Sequence, residues 1–155
     1  MSKKKKLAIA GASGFIGRWF IEKYKDHYDI VALSRKRIES GGGVVEWRSV
    51  DLFSISSSTE ALKGVDYALY LVHSMQPSTR LNQSNFEDTD LLLADNFSRA
   101  AEECNLKHIV YLGGILPKDD RNISKHLRSR HEVEQVLSSR QTPLTAIRAG
   151  IIIGP

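Results

Sequence analysis

A chain of 155 residues with 41% hydrophobic and 26% charged side chains is long enough for one domain with a real core. No apolar stretch approaches the length of a membrane span, and the apolar run at 7–10 is too short for a signal-peptide core; with the single cysteine, Cys104, excluding an intramolecular disulfide, a cytoplasmic protein without a membrane partner is expected. The net charge of +4 includes Lys3-Lys4-Lys5-Lys6, which fits a solvated lead-in to the first strand; a nucleic-acid partner is not expected, since no interleaved aromatics or recognition helix accompany it.

Hydrophobic periodicity alternates between strand and helix along the chain. The first strand is expected over about Lys5–Ala10, then a glycine turn, then a helix over Phe15–Lys25 with Phe15, Ile16, Trp19, Phe20 and Tyr24 as its apolar face. Strands two and three are expected over Ile30–Ser34 and Val44–Val50, separated by the flexible Gly41-Gly42-Gly43. A short helix over Ser57–Leu62 follows, capped by the serine cluster and ended by Gly64. The nearly continuous apolar run Tyr67–Val72 suits a fourth strand buried on both faces of a parallel sheet. After a polar loop over His73–Gln83 comes a long helix, Asn85–Cys104, carrying Leu91, Leu92, Ala94, Phe97, Ala100 and Ala101. Strand five is expected over His108–Leu112, broken by Gly113-Gly114; a polar connection containing Pro117 leads to a helix over Ser124–Arg140 and a last strand over Leu144–Arg148. Six strands alternating with helices predict a Rossmann-type, doubly wound parallel sheet of order 3-2-1-4-5-6, with its ligand crevice at the carboxyl ends of strands one and four.

The turn Gly11-Ala12-Ser13-Gly14-Phe15-Ile16-Gly17 sits where such a sheet binds a dinucleotide. A helix N-terminus offers unpaired N–H groups and the positive end of the helix dipole to phosphate. Glycines let the backbone turn tightly and approach a pyrophosphate, and Gly17 would let the helix pack close to the strand. The spacing GxxGxxG is a weak signal alone and a strong one between a strand and a helix. The alternative is a helix-capping turn with no ligand.

The end of strand two distinguishes the dinucleotides. A carboxylate there would bind the ribose hydroxyls of NAD and repel a 2′-phosphate. This chain has Ser34-Arg35-Lys36-Arg37 instead. Arg35 can fork onto a 2′-phosphate, Ser34 can add a hydrogen bond, and Arg18 can approach from the first helix. NADP(H) is therefore expected over NAD(H), with NAD(H) the lesser possibility; a solvated basic turn is the competing reading.

Gly11-x-x-Gly14-Phe15-Ile16-Gly17-Arg18, Asp51-Leu52 after strand three, Asp95-Asn96 with Ala100-Ala101, and Arg148-x-Gly150-x-x-x-Gly154-Pro155 together resemble the extended and atypical short-chain dehydrogenases/reductases. Tyr70-Leu71-Val72-His73-Ser74-Met75 and Tyr111-Leu112-Gly113-Gly114 resemble the NmrA-like, YbjT-like group of NAD(P)-binding proteins within them. The resemblance implies a cofactor site at Gly11, Ser13, Gly14, Phe15, Ile16, Gly17 and Arg18 and an adenine contact at Asp51 and Leu52. Val72 and His73 stand at the end of strand four, beside the expected cofactor, where His73 either lines the crevice or is an ordinary loop histidine. It also implies a Ser or Thr after strand five and a Tyr-x-x-x-Lys pair on the next helix. Here that segment reads Gly113-Gly114, and the helix reads His126-x-x-x-Arg130-x-x-x-Glu134. A histidine can donate a proton at neutral pH, and an arginine four residues on shares its helix face and supplies fixed charge. His126 and Arg130 are thus the candidate catalytic pair, or ordinary polar positions on an exposed face.

The family segment ending in Gly-Pro leads into a substrate region, whereas this sequence stops at Gly154-Pro155. Residues 1–155 are accordingly expected to be a cofactor-binding domain alone, with an unknown small-molecule substrate and with subunit pairing as one way to supply the missing wall. Either an NADP(H)-dependent oxidoreductase or epimerase relative with a degenerate active site, or an NADP(H)-binding regulator without turnover, fits these residues. The five scattered histidines and one cysteine predict no metal site, Asp119-Asp120 fits a solvated turn, and neither a P-loop nor a G-x-S-x-G elbow is present.

Overall fold

The computed structural model describes residues 4–36, 43–73, 84–116 and 123–153. In chain order the elements are β1 (Lys6–Ala10), α1 (Phe15–Tyr24), β2 (Asp29–Ser34), β3 (Glu46–Ser49), α2 (Ile55–Leu62), β4 (Tyr67–Tyr70), α3 (Ser84–Glu103), β5 (His108–Gly114), α4 (Lys125–Ser138) and β6 (Leu144–Ala149). The six strands form one sheet in the order β3-β2-β1-β4-β5-β6, and each neighbouring pair is parallel. This is the expected Rossmann-type, doubly wound sheet.

The two-residue period of β1 divides the core between the sheet's faces. Leu7 and Ile9 join Ile30, Ala32 and Leu69 on one face, with Phe20 and Ile21 of α1 packed against them. Ala8 and Ala10 join Val31, Leu33, Ala68 and Tyr70 on the other, where α2, α3 and α4 supply Leu62, Phe97 and Leu137. Alanines in β1 leave room for the large rings opposite: Tyr70 and Phe97 are fully buried with ring centroids 4.9 Å apart.

Three expectations are corrected by this packing. Phe15 and Trp19 are each 52% exposed, and α1 instead buries Gly17 and packs Phe20 and Ile21 inward, because the helix turns its glycine toward the strand it must approach closely. On α3, Leu93 is buried and Leu92 is 47% exposed. Gly113-Gly114 does not break strand five: both stay in register with β6, opposite Arg148 and Ala149, and both are buried. A glycine pair is acceptable here because α4 lies so close that a Cβ on Gly114 would meet Leu127 Cδ2 at 2.7 Å.

Boundary differences follow from caps. Helix α2 begins at Ile55, two residues earlier than expected, because Ser54 is its N-cap and accepts a hydrogen bond from the Ser57 N–H at 3.2 Å. Helix α4 is capped likewise by Ser124, which accepts from the Leu127 N–H at 3.2 Å. Strand β4 ends at Tyr70, and Leu71 continues only as far as donating its N–H to the Ala10 carbonyl. Arg37, Gly41-Gly42, the loop from Ser74 to Gln83, Pro117, Asp119-Asp120 and Gly154-Pro155 lie outside the described residues.

Candidate dinucleotide site

Strands β1 and β4 lie side by side, with Ala10 opposite Tyr70, and the chain leaves them in different directions. The crevice beyond their carboxyl ends is the switch point where open parallel sheets bind ligands. Gly11 opens the turn there with φ +88°, a conformation that favours glycine, and a Cβ on it would stand 3.0 Å from the Leu71 carbonyl carbon and oxygen. The Gly14 N–H donates to the Gly11 carbonyl at 3.0 Å, closing the turn, and the Arg18 N–H donates to the Gly14 carbonyl at 3.0 Å, starting the helix.

Gly14 is the N-cap of α1, with no side-chain cap and no acid in the first turn. The end of the helix therefore presents its N–H groups and positive dipole end without a competing carboxylate of its own. Ser13, Gly14, Phe15 and Arg18 are exposed around it, Ile16 is partly buried and Gly17 is buried. Gly11 and Gly17 both occupy positions that a Cβ would crowd against neighbouring backbone, which keeps this turn tight at the head of α1.

The ends of β2 and β3 lie next to the turn in the sheet order. Ser34 is buried at the end of β2, and its Oγ accepts from the Lys36 N–H at 3.2 Å, folding Arg35 and Lys36 outward into solvent. Beside it the Val50 N–H donates to the Ser34 carbonyl at 2.9 Å, which brings the Asp51-Leu52 corner to the same edge. Asp51 is exposed and organises its own loop: Oδ1 accepts from the Phe53 N–H at 3.0 Å, and its N–H donates to Ser57 Oγ at 3.0 Å. Leu52 is buried, and its carbonyl accepts from Asn96 Nδ2 at 2.9 Å. Asn96, quoted above only for the family resemblance, thus ties the Asp51-Leu52 corner to α3; an asparagine among the apolar positions of that helix is the signal for such a role.

On the other side of the crevice, Val72 and His73 follow β4 and are partly buried. The His73 ring meets Tyr111 of β5 edge-on at 6.4 Å, and the Tyr111 hydroxyl donates to the Arg130 carbonyl at 3.1 Å. Burial, with Arg130 and then His126 acting as like charges, pushes the His73 pKa down to about 4, so its imidazole is neutral at pH 7. Burial drives the Tyr111 phenol up to about 12, with Arg130 opposing it, which makes this tyrosine a poor proton donor. The Arg130 side chain lies along Gly114, with Nη1 3.7 Å from where a Cβ would be, and its Nε is buried without a hydrogen-bond partner. His126 is exposed one turn earlier on α4. Glu134, a turn later, is engaged with Arg148, which donates through Nη2 at 2.7 Å and Nε at 3.2 Å. The structure thus gathers His73, His126 and Arg130 at one end of the crevice, with no hydroxyl at 113 or 114.

Among the described residues no group of three His, Cys, Asp or Glu side chains is placed to hold a metal, and no helix is long and apolar enough to cross a membrane. A shallow groove between α3 and α4, lined by Leu91, Leu92, Asp95, Gln135 and Val136, contains none of the site residues.

The turn, the strand order and the crevice have a counterpart among known proteins. A family model described as NAD(P)H-binding matches residues 11–153. The chain belongs to that NAD(P)H-binding family. Within its reach, the chain is 29% identical over 113 residues to "Auxiliary protein GraX" of Staphylococcus aureus, covering 72% of this chain and 37% of GraX. Among solved structures, the Bordetella bronchiseptica enzyme WbmG in complex with NAD matches with a TM-score of 0.76 at 12% identity, over 95% of this chain and 53% of that one. The NADPH-dependent quinone oxidoreductase QOR2 of Escherichia coli, complexed with NADPH, matches with a TM-score of 0.72 at 23% identity, over 92% of this chain and 48% of that one. The NAD(P)H-binding chain described here spans little more than a third of GraX and about half of each of the two enzymes. At these identities the solved structures share its fold, and one carries NAD and the other NADPH.

Proposed function

We propose that this domain binds NADP(H) in preference to NAD(H), as the cofactor-binding part of an atypical short-chain dehydrogenase/reductase relative with a replaced catalytic triad. The observation that carries the preference is the end of β2: Ser34 is buried and turned back on its own chain, Arg35 and Lys36 project into solvent, and no carboxylate stands among these three residues. A guanidinium there pairs with a 2′-phosphate through charge-assisted, forked hydrogen bonds, and Arg18 adds positive charge from the first turn of α1. In this reading Gly11, Ser13, Gly14, Phe15, Ile16 and Gly17 cradle the pyrophosphate, Asp51 and Leu52 border the adenine, and Val72 and His73 border the far end of the cofactor. Calorimetric titration with NADPH and NADH tests it: tighter binding of NADPH is expected, and equal affinities would remove the preference.

Two readings of activity rest on the same site. In the first, His126 donates the proton and Arg130 holds the cofactor or substrate in an oxidoreductase or epimerase reaction. In the second, the domain is a regulator that binds NADP(H) without turnover. The buried, strand-paired Gly113-Gly114 favours the second, because the position where the family's hydroxyl is expected carries no side chain at all. Turnover on a carbonyl panel that is lost in His126→Ala would decide for the enzyme; tight NADPH binding without turnover would decide for the regulator.

A further inference from the structure

We propose that His73, His126 and Arg130 form a subsite for an oxyanion, a carboxylate or phosphate group of a small molecule that binds beside the cofactor. The proposal deepens the NADP(H) reading, on which its place beside the cofactor rests.

Three separate stretches of sequence build the cluster. His73 follows β4, Arg130 and His126 lie a turn apart on α4, and Tyr111 of β5 ties them together. Its ring packs edge-on against His73 while its hydroxyl fastens the Arg130 main chain. With Gly114 beneath it, the Arg130 side chain lies flat along the strand end instead of swinging into solvent.

The electrostatics of this arrangement are lopsided. Arg130 and His126 both disfavour a proton on His73. Glu134 of α4, bound twice by Arg148 of β6, and Asp90 of α3 both act on the neighbouring Tyr111. Among the described residues the ion pairs that reach α4 and β6 join Arg148 to Glu134, and none includes Arg130. Arg130 carries its charge half-buried, and its buried Nε has no acceptor. An oxyanion offsets that charge. It accepts from the Arg130 guanidinium, and it favours a proton on His73 by offsetting the Arg130 and His126 charges that add to burial in keeping that ring neutral.

The test is an NMR pH titration of the histidine rings in the full chain, with and without saturating NADPH, repeated with malonate and with inorganic phosphate. The His73 pKa is expected to rise by at least about one unit with one or both anions, a tenfold change in its proton affinity. A response to malonate alone assigns a carboxylate, and a response to phosphate alone assigns a phosphoryl group. Arg130→Gln is expected to weaken the anion at least about tenfold, while Arg130→Lys, which keeps the charge and loses the fork, retains part of the binding. Circular dichroism and NADPH affinity measured on the same samples separate loss of fold or cofactor from loss of the anion. NADPH binding with no response of His73 to either anion would overturn the subsite and leave the cofactor reading intact. Anion binding without NADPH binding would do the reverse.

Discussion

A Cβ on Gly17 would stand 2.5 Å from the Gly11 carbonyl oxygen, so the first turn of α1 rests directly on the turn that leaves β1. The same Cβ would meet Ala12 Cα at 2.7 Å and the Ala12 carbonyl at 2.8 Å, all backbone atoms with nowhere to go. Gly17→Ala should therefore cost roughly 2 kcal/mol of stability, read as a lower urea midpoint, and should weaken NADPH binding by displacing the phosphate-facing N–H groups. Gly14→Ala has an ordinary φ of −74° and a nearest contact of 3.3 Å, and should cost clearly less.

Arg35→Glu places a carboxylate at the end of β2, beside Ser34. NADPH binding should weaken by at least about tenfold, while NADH binding changes far less. Calorimetry with both cofactors provides the comparison, and parallel losses would remove Arg35 from the selectivity site.

Asn96 fastens the Leu52 carbonyl to α3 in a buried hydrogen bond of 2.9 Å. Asn96→Leu keeps a similar volume and leaves the carbonyl unpaired, a loss of about 1–3 kcal/mol. Faster amide exchange at Phe53 and Ser54 should accompany it, because the Asp51 corner is anchored through Leu52. Unchanged exchange there would assign Asn96 to packing alone.

His73 gives the fold a pH dependence. Its ordinary value of 6.5 falls to about 4 in the folded chain, chiefly through burial. Between those values the unfolded state binds more protons, so stability is fully present above pH 6.5 and declines as pH falls toward 4. The loss is on the order of 3 kcal/mol across that window and should be smaller in His73→Asn. Urea midpoints from pH 7 to pH 4 measure it. A bound oxyanion should flatten the same curve by raising the folded-state value.

The apolar runs at β1 and β4 are legible as buried strands because a short continuous apolar run is a local signal. Helix faces were less legible. Hydrophobicity points Phe15 and Trp19 inward, yet the helix orients to bring Gly17 against Gly11, and close backbone approach outweighs the burial of two rings. Gly113-Gly114 had the look of a strand end for the same reason: sequence registers the missing side chains, and only the neighbouring Leu127 and Arg130 reveal that the space is taken.

By itself, then, the sequence determined the order of strands and helices, the glycine turn and the absence of an acid among Ser34, Arg35 and Lys36, since each depends on residues adjacent in the chain. Tertiary structure decided what lies across the crevice. Residues 73, 111 and 130 are far apart in sequence, and parallel pairing of β4 with β5, followed by the return of α4, brings the His73 ring and the Arg130 main chain to Tyr111. The charge imbalance at His73 is a property of that meeting, because electrostatic coupling and desolvation depend on distance and burial, which no local pattern encodes.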